Sequence, residues 1–183
     1  MSIETKWTGK FLKGVLEKFV HNGVELNWEY VTRTNAPGAV LIVPYHKEKN
    51  SLVMIKEFRV PIHGYEYGFP AGLIDHENES IIEVAKRELF EETGLTLEKV
   101  YRSSVSPVYS SSGLTDESIT IIYAEVSGDI SKKHLQDHED ITQMYVSKHK
   151  LQTLLKDKTI KFGAKAWVIC DAWCNGMKFE NED

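Results

Sequence analysis

The chain of 183 residues has no apolar run of the roughly 18 residues that a membrane-crossing helix needs. We therefore expect no membrane partner. Its first residues, Met1-Ser-Ile-Glu-Thr-Lys, lack an apolar core behind a basic start, so the expectation is a cytoplasmic protein without a signal peptide. An excess of basic charge is missing too: 22 Lys and Arg face 27 Asp and Glu, a net charge of −5. A mildly acidic chain is a poor fit to a general nucleic-acid binder. There are only two cysteines, Cys170 and Cys174. Spaced i, i+4, they would share a helix face, but no further Cys and no nearby His completes a metal set. They read as small apolar core residues of a reduced protein. Repeats, low-complexity tracts and linkers are absent. What remains is 42% hydrophobic and 27% charged, the composition of one ordinary globular domain at about 100–200 residues per domain.

Strand formers come first. Lys10–Val20, the turn signal His21-Asn-Gly and Val24–Arg33 read as a β-hairpin. Ala39-Val-Leu-Ile-Val is a continuous apolar strand. Lys47-Glu-Lys-Asn turns the chain into Leu52–Arg59, giving a second hairpin. The glycine-rich segment Gly64–Gly72 leads to a helix from about Ser80 to Thr93, with Ser80 and Glu83 as a capping box and Gly94 placed to end it. Strands are expected near Lys99–Val105, Ser118–Val126 and Ile141–Val146, and helices near Lys148–Lys156 and Ala164–Asn175. Gly128–Asp140 reads as a long polar loop. Hairpins mixed with a few helices favour an α+β fold over a doubly wound parallel sheet.

The helix is the segment that carries chemistry. At roughly 100° per residue, Glu92 lies about 40° from Glu88, and Ile81, Val84 and Ala85 lie within about 60° of it. Two carboxylates thus share the stripe of the inward apolar residues, whereas Glu79, Glu83, Lys86 and Arg87 point toward the polar face. Like charges at i, i+4 are unfavourable even in water, and more so on a half-buried stripe. A divalent cation relieves them, and an all-oxygen set suits Mg²⁺ or Mn²⁺ rather than zinc.

The segment Gly72–Leu95 resembles the Nudix box, G-x5-E-x7-R-E-U-x-E-E-x-G-U, where U is a bulky apolar residue. From Glu79 onward every position agrees: Arg87-Glu88-Leu89, Glu91-Glu92, Gly94-Leu95. Between Gly72 and Glu79 stand six residues instead of five. Around the box, Lys56-Glu-Phe-Arg-Val-Pro-Ile, Gly64–Asp75, Trp28-Glu-Tyr-Val-Thr-Arg-Thr and Ser106–Glu117 resemble the ADP-ribose and nucleoside-diphosphate-sugar pyrophosphatase branch. Gly68 stands where that branch often has Glu before Phe-Pro-Ala-Gly, with Glu66 two positions earlier, and Ser112 stands where a proline commonly precedes the loop glycine.

The resemblance implies an α/β/α sandwich: a mixed central sheet between helices, with an N-terminal antiparallel β-hairpin or sheet. Residues 1–36 would form the dimerisation and base-binding region and residues 37–183 the hydrolase domain. It implies Mg²⁺-dependent cleavage of a small nucleotide sugar such as ADP-ribose by a homodimer, with Mn²⁺ as a substitute. Glu88, Glu92 and the Ala71 carbonyl would hold metal, and Glu91 would ligate or support. Arg87 and Glu79 would orient those carboxylates. Arg59 would clamp the diphosphate, Trp28 would stack on the base or belong to the core, and Glu117 would meet the second sugar or a metal. Asp137 and Glu139 compete as general base; His138 between them reads as a solvated loop residue. Trp167 and Trp173 read as core or interface. The alternatives are a house-cleaning nucleoside triphosphate pyrophosphatase of the same fold and a non-catalytic nucleotide sensor.

Overall fold

The computed structural model describes residues 1–34, 38–74, 79–106, 108–137 and 139–179. His138, the 36/37 boundary and part of the loop before the box helix lie outside them. The chain opens with three antiparallel strands, β1 (Ser2–Thr8), β2 (Leu12–His21) and β3 (Val24–Arg33), hydrogen-bonded in that order. Asn22 and Gly23 both take positive φ, 52° and 78°, as the expected two-residue turn requires. β1 is additional to the expected hairpin. All its residues are exposed, so no burial pattern marks it in the sequence.

A second, nine-stranded sheet holds β4 (Ala39–His46), β5 (Ser51–Arg59), β6 (Gly64–Gly68), β7 (Ala71–Leu73), β8 (Thr96–Ser103), β9 (Val108–Tyr109), β10 (Ser118–Ser127), β11 (Ile141–Val146) and β12 (Lys161–Phe162). β10 runs parallel to β4 and antiparallel to β8, so the sheet is mixed. Among the described residues three α-helices cover it: α1 (Ile81–Thr93), α2 (Lys148–Leu154) and α3 (Ala164–Cys174). Alternation along the strands sends side chains to two cores. Val40, Ile42, Val53 and Ile122 pack against Val84, Ala85 and Leu89 of α1. Leu41, Val43, Leu52 and Met54 pack against Leu151 of α2 and Ala166, Ile169, Cys170 and Trp173 of α3. The result is the expected α+β sandwich with helices on both faces. Truncating Leu89, which is wholly buried, would cost about 2–5 kcal/mol. Cys170 is a buried thiol beside Met54, a core residue as expected; Trp173 is core, while Trp167 is exposed.

One irregularity makes room for a site. β4 and β5 pair only at Tyr45–Leu52 and His46–Ser51, next to their turn. Beyond that they part. β4 takes β7 as its partner, and β5 takes β6 on one edge and β11 on another. The glycine-rich Gly64–Gly72 segment supplies the two short strands, β6 and β7, that border this opening.

Candidate active site

Helix α1 is delimited by its own sequence. Ser80 Oγ accepts the Glu83 N–H at 3.3 Å while Glu83 Oε2 accepts the Ser80 N–H at 2.9 Å, and Gly94 ends the helix at φ 76°. The helix therefore holds its carboxylates in a fixed rotation about the axis. Glu92 is 6% exposed, and its Oε2 accepts the Ala71 N–H at 3.2 Å. The Glu88 carboxylate lies against Gly72, so closely that a Cβ at that position would overlap it. β7 thus carries a glycine where a carboxylate must pass.

Arg87 lies on the flank of α1. Its guanidinium donates to Glu79 at 3.1 Å and to Glu88 at 2.6 Å, and lies 3.6 Å from Glu91. Its Nη2 also reaches the Leu73 carbonyl at 3.4 Å. One cation therefore gathers three glutamates and ties them to the end of β7. Those partners, Glu79 foremost, raise its affinity for its proton.

Beside β7 a cavity of about 410 Å³ occupies the opening between β4 and β5. Ala71 and Gly72 form part of its wall, so Glu88 and Glu92 meet it across those two residues. Its charged lining is Arg33, Arg59 and Lys165 with Glu57, Glu66 and Glu117. Arg59 donates to Glu57 at 2.7 Å, and Arg33 donates to Glu117 at 2.6 Å. The second pair joins the N-terminal sheet to the loop after β9, with Thr32 donating to Asp116 at 2.9 Å and the Val31 N–H to the Leu114 carbonyl at 2.9 Å.

Carboxylates crowd this region, and their protonation reports it. Burial, then Glu57, pushes Glu92 up to about 9; the Ala71 N–H opposes this, and Glu88 and Glu139 add to it. Burial also raises Glu57, against the pull of Arg59 and with the help of Glu139 and Glu66. Glu139 on its loop thus adds to the rise at both. Asp137 is exposed and has no hydrogen bond or ion pair among the described residues. The loop itself is more ordered than a free polar segment: Ser131 N–H binds the Thr93 carbonyl at 2.8 Å, and Tyr65 OH binds Asp140 at 2.6 Å. Asp140 serves as that anchor. Trp28 stands apart on β3, half exposed, and does not line the cavity of its own chain; its reading as a core residue is ruled out.

Glu57, Arg33 and Lys165 are not singled out by the sequence reading, and Glu66 enters it only as the acid two positions before Gly68. A signal existed for the first: Glu57 and Arg59 are two apart on a strand and so share a face.

The donor set on α1 and β7 fits a hard cation. It is all oxygen, it converges near the Gly72 notch, and buried Glu92 has no positive partner among the described residues. Among the described residues no group of three His, Cys, Asp or Glu side chains is arranged to hold a metal ion by itself.

Paired helix glutamates beside a cavity holding arginines and carboxylates suit metal-assisted hydrolysis. The NUDIX domain family matches residues 35–168. An ADP-ribose pyrophosphatase of Saccharomyces cerevisiae is 30% identical over 163 residues, 80% of this chain and 67% of that protein. The ADP compounds hydrolase NudE of Escherichia coli is 42% identical over 94 residues, 50% of this chain and 48% of that one. A crystal structure of an ADP compounds hydrolase superposes with a TM-score of 0.72 at 25% identity, over 96% of this chain and 93% of the other. The chain belongs to the Nudix hydrolase family, whose members generally use divalent metal ions, and to its ADP-ribose pyrophosphatase branch. No helix among the described residues is long and apolar enough to cross a membrane.

Proposed function

We propose that the protein hydrolyses the pyrophosphate bond of ADP-ribose or a related nucleoside diphosphate sugar, with Mg²⁺ as its metal, to a nucleoside monophosphate and a sugar phosphate. The cavity's mixed charge carries this reading. Arg33 and Arg59 each already hold a carboxylate, and Glu66 adds a third acid. Such a lining suits a substrate with a diphosphate for guanidinium forks and sugar hydroxyls for carboxylates. A triphosphate, with its higher charge and no second sugar, would set its terminal phosphate against acids. A sensor that binds without cleaving would have no use for the complete set Glu88, Glu91 and Glu92.

Glu88, Glu92 and the Ala71 carbonyl would hold Mg²⁺, or Mn²⁺ in its place, with Glu91 ligating or supporting. Bound there, the ion would acidify a water and offset charge on the phosphoryl oxygens. The chain's own groups do the rest. Arg87, braced by Glu79, keeps Glu88 and Glu91 aimed. Arg59 clamps the diphosphate, and Glu117, held by Arg33, faces the second sugar. Glu139 takes the proton of the attacking water; its influence on both Glu57 and Glu92 supports it over Asp137.

The substrate-bearing enzyme is proposed to be a homodimer. The strands around the β2–β3 turn are exposed on both faces, with Val20, Val24, Leu26 and Trp28 open to solvent. A two-stranded ribbon is marginal alone, and a second copy would cover it and bring Trp28 to the base in the neighbouring site. The deciding assay measures formation of the nucleoside monophosphate, separated by chromatography, over ADP-ribose, GDP-mannose, UDP-glucose, NADH, flavin adenine dinucleotide and nucleoside triphosphates, with and without Mg²⁺. Mg²⁺-dependent turnover of one nucleotide sugar well above every triphosphate is the expected outcome; the reverse order refutes the reading.

A further inference from the structure

A buried polar side chain is costly unless its hydrogen bonds are made, by about 1–3 kcal/mol when they are not. Gln143 is such a residue. It sits on β11, 8% exposed, between the inward-facing Ile141 and Tyr145. A strand position that only had to fill space would be apolar.

What Gln143 binds is the end of the catalytic helix. A helix leaves its last carbonyls without donors from its own backbone. In α1 the Phe90 carbonyl is met by the Gly94 N–H at 2.8 Å, and the Thr93 carbonyl by the Ser131 N–H at 2.8 Å. The Glu92 carbonyl takes the Gln143 side-chain amide at 2.6 Å, and the same nitrogen reaches the Ser131 carbonyl at 3.4 Å. One buried amide thus touches the backbone of Glu92 and the loop that leads to Glu139. Further contacts hold the same stretch of loop. The His46 ring nitrogen Nε2 lies 2.9 Å from the Gly128 carbonyl, the Ile130 N–H donates to Tyr145 OH at 3.0 Å, and the His134 ring lies 4.3 Å from that of Phe90. Among the described residues of the loop no further hydrogen bond or ring contact to α1 follows His134, and the Phe58 N–H meets the Asp140 carbonyl at 3.2 Å. Gln136 N–H binds Glu139 Oε2 at 2.8 Å, and Tyr65 fixes Asp140.

We propose that Gln143 is a positioning residue for the hydrolysis: its amide sets the distance between the carboxylates of α1 and the segment that presents Glu139. The inference rests on the reading of Glu139 as base given above. Gln143 touches neither substrate nor reacting atoms; it acts through the backbone at both ends. Displacing a reacting group by about 1 Å can cost on the order of a hundredfold in rate, so a loop released at Ser131 lowers kcat without changing the walls of the binding cavity.

The test compares Gln143→Met, which keeps the length and removes the donors, with the parent enzyme. kcat falls about tenfold or more, and KM stays within about threefold. In the metal-free protein, amide exchange of residues 128–134 accelerates while β4, β5 and β10 keep their protection. In a double-mutant cycle, Glu139→Gln costs less in the Gln143→Met background than in the parent. Parental kcat, or a strictly additive cycle with an active Glu139, overturns the proposal. So does exchange that rises evenly over the whole sheet, which would assign Gln143 to folding alone. Should Gln143→Met not fold, Phe90→Ala removes an exposed ring that holds the same stretch of loop through His134. It must speed exchange at 128–134 and lower kcat with KM held, and failure of either overturns the inference. If Glu139→Gln alone retains parental kcat, the base reading fails, and the exchange pattern with the kcat of Gln143→Met still decides the role of Gln143.

Discussion

Glu57 on β5 and Glu66 on β6 stand directly opposite each other in an antiparallel pair, both on the wall of the cavity. Opposed like charges on a sheet are unfavourable, and the half-buried Glu57 binds its proton more tightly than an exposed carboxylate, through burial first and then Glu139 and Glu66. The pair weakens the sheet, so it is expected to serve the ligand. Glu66→Gln should leave melting unchanged or raise stability by up to about 1 kcal/mol. It should also raise KM for the nucleotide sugar by removing an acceptor for a hydroxyl. A thermal melt and a KM measured on one preparation check this; lower stability with unchanged KM would make the pair structural.

Gly72 is required by what lies next to it. The three atoms nearest an added Cβ are all at the far end of the Glu88 side chain. Gly72→Ala should therefore fold with near-parental melting while pushing the Glu88 carboxylate aside. We expect kcat to fall about as far as in Glu88→Gln, roughly two orders of magnitude or more if Glu88 holds metal. An active, stable Gly72→Ala enzyme would show that the position of Glu88 is not critical.

The Glu92 carboxyl predicts how stability depends on pH. Its affinity for a proton is raised in the folded chain, up to about 9, by burial and then by Glu57. Between about pH 4.5 and about 9 the folded metal-free protein holds a proton that the unfolded chain has released. The contribution is complete below that window and is lost as pH rises through it. Melting of the chelator-treated protein should fall across this range, and Glu92→Gln should flatten the fall. Added Mg²⁺, which needs the ionised form, should raise melting most at the alkaline end. A parental slope in Glu92→Gln would remove Glu92 as its source.

Much of this arrangement was legible in the chain. The capping box and Gly94 bounded α1, and its period placed Glu88 and Glu92 inward, because a helix is a local structure with local signals. Asn22-Gly23 announced the first hairpin for the same reason. The cavity was less accessible. It exists because β4 and β5 separate after two residue pairs, and β6 and β7 are short strands whose pairing is settled by that separation. The Arg33–Glu117 pair joins positions 84 apart in sequence, a contact that no local pattern encodes. Gln143 stands in the strand expected near Ile141–Val146 with no local signal for its burial; the end of α1 packed over it makes that burial tolerable. The Gly128–Asp140 segment is polar as read, but its first half is fastened to α1.

Trp28 tests the assembly. On an exposed two-faced ribbon it contributes little to its own chain's core, so Trp28→Ala should not collapse the fold. If a second copy carries it to the base, the variant should raise KM for a purine substrate by about 1–3 kcal/mol of lost stacking, and light scattering of the parent at micromolar concentration should give twice the chain mass. A monomeric parent, or an unchanged KM in a stable variant, refutes the shared site.

The general base is the last point. A carboxylate bound to metal has little basicity left, so Glu88 and Glu92 are poor candidates and the proton must go to a group outside α1. Among the carboxylates of the Gly128–Asp140 segment, Asp129 pairs with Lys49 at 3.2 Å and Asp140 is held by Tyr65. Asp137 is exposed, and Glu139 alone acts on both Glu57 and Glu92. In the present structure Glu139 Oε2 accepts the Gln136 N–H. That contact lies within one turn of loop and can be exchanged for water without disturbing the Ser131 anchor. Glu139→Gln should lower kcat sharply, change KM little and flatten the acidic limb of the pH–rate profile. An inactive Asp137→Asn beside an active Glu139→Gln would keep the loop and move the base by two residues. Near-parental activity in both would leave proton removal to a group outside this loop.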